Sequence, residues 1–271
     1  MRSGPEAPVE EPRTSSEPGA GGAVEIVGLA HAFGALEVID GLGLRAGAGE
    51  VVGLVGPSGC GKSTLLELVA GLLEPTGGAI RVDGDPSAAG RLARCAYMPQ
   101  RDLLLPWLTA IDNAALAPRS RGASRAASRA AAAPLFERFG LAGFEASRPA
   151  QLSGGMRQRV AFLRTLLAGK PVLLLDEPFA ALDAITRAQM QEWLAEALAA
   201  GDRTVLLVTH DVEEALYLCD RVVLLTPRPG APVAELGSPS PRRSPRSAVV
   251  ADPAFVALRA GALAALERGA R

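Results

Sequence analysis

The stretch "GPSGCGKST", residues 56–64, decides the fold of this chain. It follows the apolar segment "EVVGLV" at 50–55 and precedes a run with helical spacing, so it marks the turn between a buried strand and a helix. The spacing Gly-x-x-x-x-Gly-Lys-Ser is that of a P-loop, in which glycines allow consecutive backbone N–H groups to face a phosphate. The start of the helix adds positive potential, so we predict a phosphate-binding loop here.

The side chains of this loop have separate expected roles. Lys62 is expected to reach the β- and γ-phosphates of ATP, and the Ser63 hydroxyl is expected to hold Mg²⁺. Lys62 is one of only two lysines in 271 residues, which argues against a chance match to the pattern. The residues predicted to cradle the phosphates are Gly56, Pro57, Ser58, Gly59, Cys60, Gly61, Lys62, Ser63 and Thr64.

The overall composition limits the alternatives. A chain of 271 residues that is 48% hydrophobic can bury a large core, in one large domain or slightly more. A net charge of -1 gives no general attraction to nucleic acid, so we expect no nucleic-acid partner. No apolar run reaches the roughly 18 residues of a membrane span, and the N-terminus lacks the apolar core of a signal peptide. Three scattered cysteines without metal-binding spacing indicate reduced thiols in the cytosol.

Segments with strand-like and helix-like apolar spacing alternate along the chain, which predicts an α/β fold with parallel strands. Strands are predicted at 24–30, 50–56, 79–84, 94–99, 171–178, 203–210 and 221–226. Helices are predicted at 62–72, 184–200, 211–219 and 252–271. The mostly helical block at 109–168 interrupts the alternation and indicates an inserted subdomain. Its arginine- and alanine-rich part, 120–140, is read as a solvated helix face.

Composition also suggests the domain boundaries. Residues 1–22 are rich in Pro, Gly, Ser and Glu and are expected to be disordered. Residues 23–236 are expected to form the main domain, with the helical subdomain at about 101–165. Residues 237–271 are expected to form a C-terminal extension that ends in a helix and either packs on a dimer or trails from the last strand.

Two further predicted strands end in polar residues suited to chemistry. "VLLLDEP" at 172–178 places Asp176 and Glu177 after a buried apolar run. Asp176 is expected to bind Mg²⁺, directly or through water, and Glu177 to polarise the attacking water. In "RTVLLVTHD" at 203–211, His210 follows an apolar strand, and because ligands of parallel sheets lie at the carboxyl ends of strands, His210 is expected near the γ-phosphate. For Asp176 and Glu177 the alternative is a pair of carboxylates that face solvent. For His210 the alternative is a structural role.

A further stretch, "LSGGMRQRV" at 152–160, is a helix start with open backbone and no lysine. Together with the other motifs, it resembles the nucleotide-binding subunit of ABC transporters, and the likeness covers about residues 23–230. The motifs that carry the resemblance are "GPSGCGKST", Gln100 in "YMPQ", "LSGGMRQRV", "LLLDEP", "ALD" at 181–183 and His210. The resemblance implies a P-loop NTPase core with a mixed sheet and an inserted helical subdomain.

The resemblance also implies a second copy of the chain, arranged head to tail. In that arrangement Ser153, Gly154 and Gly155 cap the γ-phosphate of an ATP held by the other copy. The helix dipole and the open backbone of this stretch can attract an anion, but the stretch has no lysine. It therefore fits one half of a site that two copies share. Met156 departs from the glutamine of many relatives, which leaves the backbone role intact.

Other roles follow from the same resemblance. Phe33 aligns with the aromatic residue that stacks on adenine, the alternative being an ordinary core phenylalanine. Gln100 resembles the glutamine that touches Mg²⁺ and senses the γ-phosphate. Asp183 resembles the aspartate that communicates across the dimer. Ala180 stands where close relatives often have glycine.

The sequences after Gln100, around 178–194 and at 209–230 are similar to the nitrate/sulfonate/taurine importer branch, which includes subunits for thiamine-precursor pyrimidines. The resemblance implies an ATPase subunit bound peripherally at the cytoplasmic face of the membrane. Its partners would be integral membrane permease subunits and, indirectly, a solute-binding protein. The apolar segment 103–107, "LLLPW", is expected to receive the permease. Alternatively, it fills the core of the helical subdomain.

Rival functions within the same resemblance are less well supported. DNA-repair ATPases place very long coiled coils between the P-loop and the "LSGG" motif, whereas about 90 residues separate Lys62 from Leu152 here. Translation-associated ATPases carry two cassettes, and this chain has one. A structural subunit that does not hydrolyse ATP is disfavoured because both Glu177 and His210 are present.

Overall fold

A computed structural model of the chain describes residues 23–198, 203–238, 242 and 245–269. The expected disorder of residues 1–22 lies outside the described residues. Within them, two sheets and ten α-helices share two apolar cores.

Nine strands within the described ranges form a larger mixed sheet and a smaller antiparallel one. They are β1 (Val24–Phe33), β2 (Leu36–Ala46), β3 (Val51–Val55), β4 (Gly77–Val82), β5 (Cys95–Met98), β6 (Val172–Asp176), β7 (Thr204–Thr209), β8 (Arg221–Leu225) and β9 (Pro232–Gly237). The larger sheet has the order β5-β6-β7-β3-β8-β9, in which only β9 is antiparallel to its neighbour. The smaller sheet has the order β2-β1-β4. The predicted α/β fold with a mixed sheet is therefore confirmed.

The central strands are buried along their whole length, as expected for parallel strands covered on both faces. In β3, Val51 and Val55 join the core shared with the helical insertion, while Val52 and Leu54 join the core beneath the smaller sheet. This alternation follows from the two-residue period of a strand. The larger sheet thus separates the two cores and fixes the P-loop at the end of its central strand.

Apolar periodicity does not predict β2 or β9. Gly41 and Gly43 interrupt the apolar pattern of β2, and Pro232 begins β9 at the edge of the sheet. Glycine and proline weaken the sequence signal of a strand, although an edge strand accepts a proline whose nitrogen faces away from the ladder. Each of these strands is instead recognised by its antiparallel pairing with the preceding strand, β2 with β1 and β9 with β8.

The helices follow the predicted order, with short additions. They are α1 (Lys62–Ala70), α2 (Ala88–Arg94), α3 (Ala110–Ala114), α4 (Leu116–Ser120), α5 (Arg125–Arg138), α6 (Gly154–Leu166), α7 (Ala184–Leu198), α8 (Val212–Leu218), α9 (Arg246–Val250) and α10 (Pro253–Gly269). Helix α1 ends at Gly71, whose φ of 77° suits a left-handed cap. A Cβ there would lie 2.4 Å from the carbonyl oxygen of Ala88, so this position has no room for a side chain.

The insertion between β5 and β6 contains α3 to α6 and a 3₁₀ turn, Pro149–Gln151. The predicted helical block is interrupted at 121–124 and 139–153, where the chain turns. The carboxylate of Asp112, buried in α3, accepts hydrogen bonds from Arg129 at 2.7 Å and Arg125 at 2.6 Å. Bonds first from Arg129 and then from Arg125 hold the pKa of Asp112 well below its usual range. The arginine-rich face is therefore not simply solvated, because two of its residues tie α5 to α3.

The C-terminal extension packs on its own domain rather than trailing from it. Helix α10 lies against α8, β8 and β9, with Phe255 buried. The carboxylate of Glu213 on α8 accepts hydrogen bonds from Arg246 at 2.6 Å and from Arg259 at 2.5 Å. The extension therefore stabilises the helix that follows His210 directly in the chain.

Candidate nucleotide-binding site

A cleft of about 310 Å³ opens where the P-loop meets the carboxyl ends of the central strands. It gathers side chains from the β1–β2 hairpin, the start of α1, the ends of β5 and β6, and the turn between β8 and β9. The lining residues are Phe33, Leu36, Val38, Ser58, Gly59, Gly61, Lys62, Ser63, Thr64, Gln100, Asp176, Glu177 and Arg228. One end of the cleft is therefore apolar and the other is polar, which matches the two ends of a nucleotide.

The P-loop wraps around the buried ammonium group of Lys62. Its Nζ donates hydrogen bonds of 2.8 Å to the carbonyl oxygens of Gly56 and Pro57. Gly61 caps α1 with a φ of 103°, a conformation open mainly to glycine, and the first turn of α1 carries no acidic residue. The helix start is therefore positive, and the ammonium can exchange its carbonyl partners for phosphate oxygens.

Asp176 and Ser63 supply oxygen atoms of the kind that Mg²⁺ prefers. Burial raises the pKa of Asp176, and hydrogen bonding from the Ser63 hydroxyl opposes this effect. Burial, followed by the charge of Asp176, raises the pKa of Tyr97, which the sequence motifs do not single out. A buried carboxylate without a full counter-charge is stabilised by a cation, so the donor set fits Mg²⁺.

Gln100 and His210, predicted from separate motifs, both contact Glu177. Gln100 Nε2 donates to Glu177 Oε2 at 3.1 Å, and His210 Nδ1 lies 3.3 Å from Glu177 Oε1. Glu177 has a φ of 47°, which is strained for a residue with a side chain. Its side chain is 14% exposed and lines the cleft, whereas that of His210 is 62% exposed and adjoins the cleft through its contact with Glu177.

The apolar end of the cleft is formed by the β1–β2 hairpin. Phe33 is 50% exposed, so it is not an ordinary core phenylalanine. The ring of the buried His31 contacts it edge to face, with centroids 4.7 Å apart. Leu36 and Val38 complete this end. A half-exposed ring supported from behind presents a flat surface suited to an aromatic base.

The "LSGG" residues and Asp183 do not line this cleft. The Ser153 side chain caps α6 by accepting a hydrogen bond from the backbone N–H of Met156 at 3.2 Å. Gly155 lies against Leu182, because a Cβ there would lie 3.2 Å from that side chain. Asp183 accepts the N–H groups of Thr186 and Ile185, and these bonds, first that of Thr186, lower its pKa. The structure therefore places these residues together and outside the lining of the cleft of the same chain.

Arg228 lines the cleft, and although it lies in the segment 209–230 that resembles the importer branch, that resemblance assigns it no role. It lies in the turn between β8 and β9. Because the sequence pattern does not predict β9, nothing in it indicates that this turn returns to the nucleotide end of the sheet. The contact arises from the antiparallel return of the chain beside β8.

The turn that holds His210 rests on a second buried carboxylate. Asp211 caps α8 by accepting the N–H groups of Glu213 at 2.9 Å and Glu214 at 3.2 Å. The Glu214 side chain accepts a hydrogen bond of 2.9 Å from Gln191 Nε2. Burial raises the pKa of Glu214 from its ordinary 4.5 to about 7. The folded protein therefore favours the protonated form of this group.

The raised pKa of Glu214 predicts a pH-dependent stability. The stabilising contribution of Glu214 to the free energy of unfolding is greatest below pH 4.5 and is lost as the pH rises through 7. Between pH 5 and pH 8 we expect the free energy of unfolding of the wild type to fall by about 2 kcal/mol relative to Glu214→Gln. Urea titrations at both pH values measure this difference, with Glu196→Gln as a surface control. Equal pH dependence of the wild type and Glu214→Gln would contradict the prediction.

Fold and site together define an ATPase of the P-loop class. Residues 39–180 match the family model described as ABC transporter. The chain belongs to the ABC transporter family. The resemblance drawn from the sequence motifs is therefore confirmed.

Relatives extend this result over most of the chain. The taurine import ATP-binding protein TauB of Chromobacterium violaceum is 46% identical over 230 residues, covering 83% of this chain and 88% of the relative. The aliphatic sulfonates import ATP-binding protein SsuB 1 of Rhodococcus jostii is 49% identical over 203 residues, covering 75% and 79%. The chain is thus similar throughout its ATPase core to subunits named for import.

Solved structures agree with the sequence relatives. The dimeric post-hydrolysis structure of the ATP-binding cassette MJ0796, bound to ADP and Pi, has a TM-score of 0.72 and 29% identity. The match covers 79% of this chain and 98% of that cassette. Among the helices of the described ranges, none combines the length and apolar character needed to span a bilayer.

Proposed function

We propose that the chain is the ATP-hydrolysing subunit of an importer for small sulfonates such as taurine. The observation that carries the proposal is the convergence of Gln100 and His210 on the carboxylate of Glu177, beside the P-loop. The names of the sulfonate-importing relatives support the class of cargo. Nitrate and thiamine-precursor pyrimidines are the other cargoes suggested by the motifs, and specificity for any of them belongs to the partner subunits.

The geometry supports a separate role for each residue of the site. Lys62 would hold the β- and γ-phosphates, and Ser63 and Asp176, joined by Gln100, would hold Mg²⁺. Bound Mg²⁺ would neutralise charge on the phosphate oxygens. Glu177 accepts a hydrogen bond from the attacking water and orients it.

The two neighbours of Glu177 keep its carboxylate in place. Gln100 donates to one oxygen and His210 faces the other, so both oxygens are fixed before water arrives. His210 also lies at the rim, where it can donate to the γ-phosphate. A preorganised carboxylate lowers the barrier because it needs no rearrangement during the reaction.

A second copy of the chain completes the site in this proposal. Ser153, Gly154 and Gly155 form a capped helix start that does not line the cleft of its own chain. Ser153 and Gly154 are exposed, so their backbone can approach an anion on another molecule. A 13-residue helix with no acidic residue in its first turn supplies the positive potential. A head-to-tail dimer would bring this start onto the γ-phosphate of the partner, and Asp183 lies beside it.

The segment 103–107 is the proposed docking loop for the permease at the cytoplasmic face of the membrane. Trp107 is 66% exposed and Leu103 59% exposed, whereas Leu104 is buried. The segment is therefore not one exposed apolar patch. Leu104 fills the core, whereas Leu103 and Trp107 face outward. Buried Asn113 fixes the loop by accepting the N–H of Leu105 at 2.8 Å and donating to its carbonyl at 3.1 Å. Exposed apolar side chains on a fixed loop suit a protein partner.

The docking loop is also held by the helix that begins at the "LSGG" motif. Arg157 pairs with Asp102 at 2.9 Å, and Arg164 donates to the carbonyl oxygens of Asp102 and Leu103, both at 2.8 Å. Leu103 has a φ of 42°, which these bonds help to maintain. Movement of α6 on ATP-driven closure would therefore carry the docking loop with it.

Substitution of the exposed tryptophan tests the permease contact. We expect Trp107→Glu to reduce co-purification with the co-expressed permease at least tenfold from detergent-solubilised membranes, because a charge would enter an apolar contact. The basal ATPase rate should stay within twofold. Leu92→Glu, at an exposed leucine on α2, is the matched control. Unchanged recovery of the permease with Trp107→Glu would argue against this docking loop.

Uptake assays test the class of cargo. Cells lacking the chain should lose uptake of labelled taurine or alkanesulfonates, and the wild-type chain should restore it. Restoration requires ATP hydrolysis, so Glu177→Gln should fail in the same cells. Loss of nitrate or pyrimidine uptake with normal sulfonate uptake would replace the sulfonate proposal while leaving the ATPase assignment intact.

A further inference from the structure

We propose that Arg228 is a second contact for the nucleoside, which acts with Phe33 at the apolar end of the cleft. The inference deepens the proposed function, because it depends on ATP occupying this cleft. It rests on the rigidity of the turn that carries Arg228, on the anchoring of that turn, and on the free guanidinium group.

The turn at 226–231 is closed by its own hydrogen bonds. The backbone N–H of Thr226 donates to the carbonyl of Ala231 at 2.9 Å, and Ala231 N donates back to the Thr226 hydroxyl oxygen at 3.0 Å. The Thr226 hydroxyl donates to the carbonyl of Pro229 at 3.1 Å. The position of the Arg228 backbone is therefore defined by the turn itself.

The same turn is fixed against the P-loop and the hairpin that carries Phe33. Gly230 N donates to the carbonyl oxygen of Val38 at 3.1 Å. A Cβ at Gly230 would lie 2.2 Å from the carbonyl oxygen of Cys60, so the turn touches the P-loop backbone with no room for a side chain. Val38 lies at the apolar end of the cleft, so the Gly230–Val38 bond brings the turn that carries Arg228 beside that end.

The guanidinium of Arg228 has no hydrogen-bond or ion-pair partner among the described residues, and its side chain is exposed. Arg221, at the start of β8, by contrast pairs with Glu50 at 2.9 Å and with Glu235 at 3.0 Å. An unpaired arginine that lines a cleft is available to a ligand.

The chemistry of this end of the cleft selects the nucleoside as the contact. Lys62 and the backbone N–H groups already serve the phosphates at the other end. Phe33, Leu36 and Val38 offer no polar group to the base. A planar guanidinium stacks on aromatic rings and donates to ring-nitrogen acceptors, and adenine presents both. Phe33 and Arg228 would therefore hold the base from two separate hairpins.

Binding measurements on the full chain test the inference. Isothermal titration would compare ATP, ADP and inorganic tripolyphosphate on the wild type, Arg228→Ala and Arg228→Lys. We expect Arg228→Ala to weaken ATP and ADP about 5- to 20-fold, the range of a stacked cation. Tripolyphosphate affinity should change less than twofold. Arg228→Lys should lose at least threefold for ATP, because it keeps the charge but not the plane.

Each outcome bears on the inference. Equal losses for ATP and tripolyphosphate would make Arg228 a phosphate contact, and unchanged ATP affinity would remove it from the site. Full affinity in Arg228→Lys would rule out the planar contact. Arg119→Ala, at an exposed arginine on α4, controls for loss of charge, and thermal unfolding confirms that the variants fold. Failure of the wild type to bind ATP would instead overturn the proposed function.

Discussion

Glu177→Gln is expected to lower the ATPase rate at least 100-fold while leaving ATP affinity within about threefold. The amide keeps the size of the side chain and one acceptor oxygen for Gln100 or His210, although its NH2 group cannot accept a hydrogen bond. It cannot accept a proton from water, and general-base catalysis contributes about 10²- to 10⁴-fold. Phosphate release at saturating ATP measures the rate, and equilibrium binding measures the affinity.

The same variant is expected to accumulate in the closed state. If hydrolysis opens the dimer, ATP-bound Glu177→Gln should elute as a dimer under conditions in which ADP-bound protein does not. Glu196→Gln is the control, because its carboxylate pairs with Arg138 on the surface. A rate above half that of the wild type in Glu177→Gln would remove Glu177 from the catalytic role.

The second large effect is rescue between two inactive variants. Lys62→Ala removes the cation from the P-loop, and Gly154→Asp places a carboxylate at the helix start, where it would repel the γ-phosphate. The nearest atom to a Cβ at Gly154 is 3.8 Å away, so the variant should fold. Each variant alone is expected to retain less than about 5% of the ATPase rate, since both sites are damaged.

A heterodimer of these two variants contains one intact composite site if the copies meet head to tail. We therefore expect differently tagged copies, co-expressed with the permease and isolated by both tags, to recover up to about half of the wild-type rate. Pairing Lys62→Ala with Glu177→Gln is the matched control. Both substitutions damage the P-loop side of the site, so no intact site forms. Failure of the first pair to exceed this control would show that each chain uses only its own residues.

The sequence is informative about the site wherever function depends on short-range pattern. The P-loop is recognisable because its glycines, Lys62 and Ser63 act within nine residues on one turn. Asp176, Glu177 and His210 are recognisable because each follows a continuously apolar strand. Parallel strands bring their carboxyl ends to one edge, so adjacency of these residues follows from the fold class.

Other features depend on packing that no local pattern reveals. Arg228 reaches the cleft through β9, whose signal is weakened by Pro232. Within the segment 103–107, identical leucines differ in exposure because Asn113 and α6 decide which of them faces inward. The pairing of Asp112 with two arginines of α5 likewise joins residues more than ten positions apart.

Helix α6 has a consequence for how the two copies would communicate. At 13 residues it is about 20 Å long, with the exposed Ser153 capping one end and Arg164 near the other. Under the head-to-tail arrangement, the ATP bound by one copy is reported to the membrane by the docking loop of the opposite copy. Because Gln100, three residues before the docking loop, lines the cleft of its own chain, each docking loop would respond to the nucleotide of its own copy and, through α6, to that of the other copy.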